Sequence, residues 1–308
     1  MNTPSRVFYR FVFAALALFV IAWCVAATAH ASDVRVLSFN VKVDFEVDES
    51  CPPWDERKDL CAQVVKEARA DLVGFQETSP NQLAFFQEVL PDFETVGALA
   101  LTPEEVNWFQ TAFPPLKAIG FTTYTDSILM YRRDRFEKLE EGHWWHSPTP
   151  EKVSTGFGNV FPRIAVWAKL RDKATKRAFV AVVTHFDATS PAQEGMAALS
   201  REKLRPFLDA GLPVVFWGDY NADSKDAAYA TLTESPWRDA YAASPLAGPG
   251  AKDSNVTTSG WDIRIDHILY AGAGLEATEW RRIESPKAGV NLSDHYPVFA
   301  VLQFGAAP

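Results

Sequence analysis

Short apolar runs alternate with amphipathic stretches along residues 33–305 of the chain. The run VRVLSFNV at 34–41 predicts a buried strand, and DLVGFQ at 71–76 predicts a second one. Between them, the apolar side chains of 55–70 recur at helical spacing, which predicts a helix. The same patterns predict further helices over 80–90 and 191–210, and strands over 126–131, 163–170, 178–184, 213–218, 264–270 and 296–303.

Strands interleaved with a few helices are typical of a domain built from layers of sheet and helix. No linker, repeat or low-complexity segment divides this part of the sequence, so the pattern predicts a single domain. Three long stretches rich in Pro, Gly and Thr are predicted to be irregular, at 98–125, 142–162 and 244–260. Irregular stretches of this length in a compact domain are usually functional or mobile.

The N-terminal segment has the composition of an export signal. Two arginines precede an uncharged run from 11 to 29, and the sequence AHA that ends at Ala31 fits the small-x-small cleavage rule. We therefore predict a signal peptide over 1–31 and a mature domain over 32–308, located in the periplasm or outside the cell. An uncleaved membrane anchor is the alternative, because the apolar run is near the length that spans a bilayer. No other segment of the sequence is long and apolar enough to span one.

The composition excludes several classes of protein. With 47% hydrophobic and 22% charged residues, the chain matches an ordinary globular protein and not a disordered or coiled-coil one. Its 30 Lys and Arg against 39 Asp and Glu give a formal net charge of -9. Removal of residues 1–31 takes away two positive charges and leaves -11. Such a surface repels polyanions, which argues against a protein that coats nucleic acid but allows a local cleft for one phosphate.

Two cysteines, Cys51 and Cys61, remain once residues 1–31 are removed. In an oxidising compartment such a pair is expected to be oxidised, so we predict a disulfide that closes this short loop. Two separate reduced thiols are the alternative. No CxxC motif or histidine pair accompanies them, which excludes the usual zinc sites.

Polar side chains recur where the predicted strands end. Apolar runs lead directly into acids, amides and histidines, and a sheet edge can present such side chains to a common cleft. One such residue alone is usually a cap or a turn residue. The whole set, with no Ser or Cys nucleophile motif in it, indicates a shared site. Its members are Asn40, Glu77, His185, Asp219, Asn221, Asp266, His267, Asp294 and His295.

Six short motifs that contain these residues occur in the order found in a known family. They are SFN at 38–40, GFQET at 74–78, VVTHFD at 182–187, WGDYNAD at 217–223, RIDHI at 264–268 and SDHYPV at 293–298. In this respect the chain resembles the endonuclease/exonuclease/phosphatase superfamily, the metal-dependent phosphohydrolases that include pancreatic deoxyribonuclease and the neutral sphingomyelinases. The resemblance implies an α/β fold, a four-layer α/β sandwich in which two packed mixed β-sheets are flanked by helices.

The resemblance also implies a metal centre. Asn40, Glu77 and Asp294 occupy the family positions around the metal, and their hard oxygen donors suit Mg²⁺ or Mn²⁺. Among these three, Glu77 is the best ligand on chemical grounds, while the neutral Asn40 would help to hold the metal or its water.

The catalytic residues that the resemblance implies are His185, Asp219, Asn221, Asp266 and His295. His295 would contact the scissile phosphate or take a proton from water, and Asp266 would orient it. Asp219 would orient the water or assist the leaving group, while Asn221 and His185 would bind phosphate oxygens. His267 points to the other face of its strand from Asp266 if the side chains alternate, so we expect a structural role for it.

Three further residues are weaker candidates for substrate binding. Arg163 offers a guanidinium that suits phosphate, although a structural ion pair explains it equally well. Trp144 and Trp145 could stack on a ring of the substrate or pack in the core.

We expect an exported phosphoesterase that depends on a divalent metal and hydrolyses a phosphodiester or a phosphomonoester by water attack. Its expected partner is the ester itself, which could be a small molecule, a lipid head group or nucleic acid. We expect a monomer without an obligate protein partner and without a membrane span after cleavage of the signal. A secreted nuclease and a catalytically silent periplasmic binding protein on the same fold are the alternatives.

The predicted loops bear on the choice of substrate. They carry few basic residues, which favours a small ester or a lipid head group over duplex DNA. The apolar run TAFPPLKAIGF at 111–121 would suit a lipid.

Overall fold

The structure is a computed structural model that describes residues 33–44, 49–112, 117, 124–159, 161–247 and 256–305. The predicted signal peptide and most of the apolar loop at 111–121 lie outside these residues. Residues Val34–Pro308 form one compact unit. In the part of the chain that the structure describes, no helix is long and apolar enough to cross a membrane.

Thirteen strands make up the sheets of the described chain. In chain order they are β1 (Asp33–Asn40), β2 (Leu72–Thr78), β3 (Phe93–Gly97), β4 (Asp126–Arg132), β5 (Phe136–Trp145), β6 (Ile164–Asp172), β7 (Ala178–His185), β8 (Val214–Asp219), β9 (Arg238–Asp239), β10 (Leu246–Ala247), β11 (Asp266–Ala271), β12 (Leu275–Arg282) and β13 (Val298–Phe304). They form a seven-stranded sheet in the order β10-β12-β13-β1-β2-β4-β3 and a six-stranded sheet in the order β5-β6-β7-β8-β11-β9.

Both sheets are mixed. At the centre of the first sheet β1 and β2 run parallel, while β4 runs antiparallel to β2. At the centre of the second sheet β7 and β8 run parallel, while β11 runs antiparallel to β8. The carboxyl ends of β1, β2, β7 and β8 therefore carry the residues that the sequence placed at strand ends.

Six helices of the described chain pack against the sheets. They are α1 (Trp54–Ala68), α2 (Pro80–Val89), α3 (Pro103–Ala112), α4 (Ser190–Asp209), α5 (Ala227–Thr233) and α6 (Ala240–Ala243). Apolar side chains of α1 and α2 pack with alternate residues of β1 and β2, and those of α4 and α5 pack with β7 and β8. A third core lies between the sheets. The four-layer sandwich with two packed mixed sheets is thus confirmed.

Trp217 ties the two sheets together. Its indole Nε1 donates a hydrogen bond to the backbone carbonyl of Leu37, from β8 to β1, at 3.1 Å. A Cβ atom on Gly74 of β2 would lie 2.2 Å from that nitrogen, so only glycine leaves room for the ring. The bond satisfies the buried indole and fixes the spacing of the sheets beneath the strand ends.

Several elements differ from the sequence prediction. Helix α3 lies within the stretch 98–125 and the end of β5 within 142–162, both of which were predicted to be irregular. Strands β5 and β12 were missed because both carry charged residues along their length, so neither shows a clean apolar run. β5 lies at the edge of its sheet, where such side chains reach solvent.

The predicted disulfide between Cys51 and Cys61 is wrong for this structure, in which both cysteines are free. The Cys61 side chain points into the core under α1 and its Sγ lies 3.8 Å from the carbonyl oxygen of Leu292. Cys51 lies in a half-buried turn before the helix. Burial raises the pKa of the Cys61 thiol to about 12, so this group is held as a neutral, apolar core residue.

Candidate active site

Five strand ends meet at one edge of the sandwich. Asp219 at the end of β8 is paired in register with His185 of β7 on one side and with Asp266 of β11 on the other. The ends of β1 and β2 bring Asn40 and Glu77 to the same place from the other sheet. The edge therefore combines carboxylates, an amide and imidazoles, as the sequence predicted.

Asn40 links the carboxylates of the two sheets. Its buried amide Nδ2 donates to Oε1 of Glu77 at 3.1 Å and to Oδ2 of Asp219 at 3.0 Å. The amide oxygen accepts the backbone N–H of Lys42 at 3.0 Å. In this orientation Asn40 positions the two carboxylates with its N–H groups and does not turn its oxygen toward them.

His295 is held between two aspartates. Its Nδ1 lies 2.9 Å from Oδ2 of Asp266, and its Nε2 lies 3.6 Å from Oδ2 of Asp219. The Ser293 hydroxyl accepts the backbone N–H of His295 at 3.1 Å, which fixes the loop that carries the ring. Burial lowers the pKa of His295, but the carboxylates of Asp266 and Asp219 outweigh it and raise that pKa well above the usual value for histidine.

A second histidine stands on the other side of Asp219. The Nδ1 of His185 lies 2.8 Å from Oδ1 of Asp126, and its Nε2 lies 3.3 Å from Nδ2 of Asn221 and 3.5 Å from Oδ2 of Asp219. Arg163 donates to the same Asp126 oxygen at 2.9 Å. Burial raises the pKa of Asp126, but His185 and Arg163 outweigh it and hold that pKa below its usual value.

Asp126 and Lys42 belong to this site and were missed in the sequence. Asp126 begins β4, where an acid looks like an ordinary turn residue. The buried Lys42 extends its Nζ to Ser50 Oγ at 2.8 Å and toward Oδ2 of Asp294 at 3.5 Å. Asp294 is thus connected to the other site residues by its contact with Lys42, and Arg163 is connected to them by its contact with Asp126.

Four residues of the site have left-handed backbone conformations. The φ angles are 51° at Lys42, 55° at Glu77, 60° at Asp126 and 50° at Asn221. Non-glycine residues adopt this region rarely and at an energetic cost. Four of them around one cluster indicate that the surrounding fold imposes the side-chain directions, as is common at functional sites.

His267 lies outside the site, as expected from strand alternation. It points away from Asp266 into a buried network in which Arg264 contacts both His267 Nδ1, at 2.6 Å, and Asp239 Oδ2, at 2.7 Å. The hydroxyl of Tyr229 donates to Asp239 at 2.8 Å. Burial raises the pKa of Asp239, but His267 and Arg264 outweigh it and hold that pKa far below its usual value.

The structure corrects the expectation that Trp144 and Trp145 could stack on substrate. Trp144 is 4% exposed in the core beneath α4, and Trp145 is 8% exposed in the core between the sheets. Adjacent strand residues point to opposite faces, so each ring enters a different core. The exposed aromatic ring next to the site is instead Trp261, at 60% exposure. Its loop pairs with the loop that carries His295, through a bridge between Thr258 and His295.

The donor set suits a divalent cation. Asp219, Asp266 and His295 offer ligand atoms within 4.8 Å of one another. Asp266 and His295 already bond to each other, so Asp219 is the carboxylate of this group that is best able to contribute to a metal. Glu77 contributes a further, half-buried carboxylate, which accepts a hydrogen bond from Asn40. Hard oxygen donors with solvent access fit Mg²⁺ or Mn²⁺ and not a soft metal.

Comparisons with known proteins agree with this fold and with the candidate site at the edge of the sandwich. The profile of the Endonuclease/Exonuclease/phosphatase family matches residues 37–295, which include every strand end described above. The chain therefore belongs to the endonuclease/exonuclease/phosphatase family, whose members are phosphoesterases and nucleases.

Solved structures of the family superpose on most of the chain. A family protein from Bacteroides vulgatus is 28% identical, with a TM-score of 0.74 over 88% of this chain and 99% of its own. A mannosyl-6-phosphatase from Bacteroides thetaiotaomicron is 24% identical, with a TM-score of 0.72 over 88% of this chain and 100% of its own. The human Nocturnin catalytic domain is 19% identical, with a TM-score of 0.68 over 89% of this chain and 94% of its own.

One curated relative matches a shorter part of the chain. It is an uncharacterized protein of Acanthamoeba polyphaga mimivirus, 24% identical over 200 residues, which cover 62% of this chain and 68% of the viral protein. Likenesses at this level, and those to the mannosyl-6-phosphatase and Nocturnin, establish the fold alone.

Proposed function

We propose that the chain is an exported phosphoesterase that requires a divalent cation and hydrolyses a small phosphate ester. The observation that supports this best is a single contiguous group of polar side chains that joins both sheets. It contains Glu77, Asn40, Asp219, His295 and Asp266, with contacts of 2.9–3.6 Å. Hydrolysis of a phosphate ester needs an acid cluster for a cation, a base for water and donors for phosphate oxygens, and this edge offers all three.

The carboxylates of Glu77, Asp219 and Asp294 would hold Mg²⁺ or Mn²⁺, with Asn40 positioning the first two. When bound, the cation would neutralise charge on the phosphate and lower the pKa of a nearby water. The ammonium group of Lys42 lies near Asp294, so it balances part of the negative charge of this group.

The remaining polar residues would act on the phosphate and the water. Asp219 would take a proton from the attacking water molecule. The oxygen of that water would form a bond to phosphorus, and the bond between phosphorus and the ester oxygen would break. The leaving oxygen would take a proton from solvent. His295, oriented by Asp266, would donate from Nε2 to a phosphate oxygen. His185 and Asn221 would bind a second oxygen, with His185 fixed by Asp126.

A cavity beside His295 favours a small substrate. The loop 283–297 encloses about 350 Å³, with Lys287, Asn291 and Tyr296 in its lining. This volume lies in the range of small-molecule sites. The exposed ring of Trp261 on the neighbouring loop would cover the apolar face of such a ligand. A sugar phosphate fits these features, and a sugar phosphatase exists among the structural neighbours.

Residues 32–308 would be tested with p-nitrophenyl phosphate, bis(p-nitrophenyl) phosphate, mannose 6-phosphate and plasmid DNA, with Mg²⁺ or with EDTA. The expected result is metal-dependent hydrolysis of one of the small esters that is lost in Asp219→Asn. Asp209→Asn is the matched control, because it makes the same change on an exposed acid at the end of α4.

The substrates separate the possible outcomes. Turnover of the monoesters alone would identify a phosphatase, and turnover of the diester a phosphodiesterase. Efficient cleavage of DNA would contradict the small-ester proposal and favour the secreted nuclease. A folded protein that binds Mg²⁺ but turns over none of the four would favour the silent binding protein. The mass of the protein recovered from cell fractions would test export and cleavage after Ala31.

A further inference from the structure

The edge of the sandwich opposite the active site is rich in basic residues. It carries the starts of β1, β2 and β7 and the turn between β4 and β5. Strand β1 alone is eight residues long, so this edge lies roughly 20 Å from Asn40. We call the cations at this edge the basic rim: Arg35, Lys66, Arg69, Arg132, Arg133, Arg135, Lys173, Lys176 and Arg177.

The basic rim is continuous across both sheets. Arg135 bridges Asp71 of the first sheet at 2.6 Å and Asp172 of the second sheet at 3.0 Å. The backbone N–H of Lys173 donates to the Arg135 carbonyl at 2.9 Å, and its Nζ donates to the carbonyl of Arg133. A groove of about 630 Å³ between the end of α1 and the start of β3 gathers the others. The groove is lined in part by Arg35, Lys66, Arg69 and Arg132.

The positive charge of the rim is only partly balanced. Within the described chain, no carboxylate forms an ion pair with seven of the nine cations, which are Arg35, Lys66, Arg69, Arg133, Lys173, Lys176 and Arg177. All seven are at least partly exposed. Seven acids lie at the same edge: Asp33, Glu67, Asp71, Asp92, Glu94, Asp134 and Asp172. The rim is therefore net positive on a chain whose formal net charge is -9.

This separation of charge orients the molecule in an electric field. A negative surface attracts the rim and repels the rest of the domain, so it selects one orientation. In that orientation the active site faces away from the surface, because it lies at the other end of the same strands. The rim therefore has no part in binding a substrate at the site.

We propose that the basic rim docks the domain on an anionic phospholipid surface. The position of the N-terminal segment supports a membrane as the partner. The uncharged run of residues 11–29 precedes β1 by three residues, and β1 begins at this edge. Three residues span at most about 10 Å, which is comparable with the Debye length at physiological ionic strength. A bilayer that holds the apolar run, as an anchor or during export, would thus come within range of the rim.

The surface can be tested without the apolar run and without hydrolysis. Residues 32–308 would be sedimented with phosphatidylcholine vesicles that do or do not contain a quarter of phosphatidylglycerol. We expect binding to the anionic vesicles alone, with release at ~0.5 M NaCl because salt screens the attraction. A variant with Lys66→Gln, Arg133→Gln and Lys173→Gln is expected to bind about tenfold more weakly or worse.

The matched control removes the same charge elsewhere. Lys152→Gln, Lys225→Gln and Lys287→Gln change three exposed lysines away from the rim, and this variant is expected to bind at least as well as the unmodified protein. Equal losses in the two variants, equal binding to both kinds of vesicle, or no binding of the unmodified protein would each overturn the proposal. If the rim were needed for binding to a DNA duplex and the protein did not bind vesicles, the partner of the rim would be a nucleic acid and not a membrane.

Discussion

The side-chain amide of Asn40 donates a hydrogen bond to the carboxylate of Asp219 at 3.0 Å, and the two residues are 179 positions apart in the sequence. One belongs to the seven-stranded sheet and the other to the six-stranded sheet. The same amide nitrogen also holds Glu77. Glu77 and Asp219 are therefore placed relative to one another by a single buried amide.

Asn40→Ala is expected to lower kcat by about a hundredfold, since Glu77 and Asp219 lose the donor that positions them. The measurement is the hydrolysis of whichever small ester the protein accepts. Asn107→Ala, on the exposed face of α3, is the control and should keep full activity. Wild-type kcat in a folded Asn40→Ala protein would show that the shared amide has no part in catalysis.

Gly218→Ala is expected to cost at least about 2 kcal/mol of unfolding free energy and to abolish activity. Gly218 has a φ of 149°, and a Cβ there would lie 1.9 Å from the carbonyl oxygen of Thr184. The strands that carry His185 and Asp219 would have to separate. Urea unfolding and hydrolysis would measure both effects. As a control, Gly211→Ala has a positive φ but no atom within 4 Å of the new Cβ, so its loss of stability should be smaller and its activity intact.

Trp261→Ala is expected to raise KM by roughly fivefold to tenfold and to leave kcat nearly unchanged, because an apolar contact worth about 1 kcal/mol is lost away from the reacting atoms. Trp108→Ala removes the other strongly exposed tryptophan of the described chain, at 68% exposure, and serves as the control. A fall in kcat with constant KM would place Trp261 in the chemistry instead of in substrate binding.

Asp239→Asn is expected to lose about 3 kcal/mol of stability near neutral pH, since it leaves the buried Arg264 without its carboxylate. The pKa of Asp239 is lowered in the folded state, so its contribution is complete above the unfolded value of about 3.9 and is lost as the pH falls toward the folded value. The stability difference between wild type and variant should therefore shrink from about pH 5 to pH 3. A difference that stays constant over this range would contradict the assignment.

Thiol titration tests the absence of a disulfide in residues 32–308. Cys61 is fully buried and its pKa is raised to about 12, so it should not react with a disulfide reagent in the folded protein. Cys51 is half-buried and should react first. Unfolding in denaturant should expose both thiols. Failure to detect any thiol in denaturant without a reductant would restore the disulfide that the sequence suggested.

The sequence indicated the family because the apolar runs before Asn40, Glu77 and Asp219 are buried strands, and their ends are where a cleft forms. Asp126 and Lys42 were not predicted as site residues because their positions depend on left-handed backbone conformations that no local sequence pattern reveals. The prediction that Trp144 and Trp145 could stack on substrate was wrong because two adjacent aromatic residues do not show whether their strand has a core on both faces. In the structure it does.

The hydrogen bond from Trp217 to Leu37 has a consequence for the order of folding. It joins residues 180 positions apart, directly beneath the strand end that carries Asp219. Contacts over such separations form late, after the loops between them have closed. Neither sheet alone holds the complete group of side chains, so the protein gains its chemistry only when the sandwich closes. A chain that crosses a membrane unfolded would thus be inert on the side where it is made.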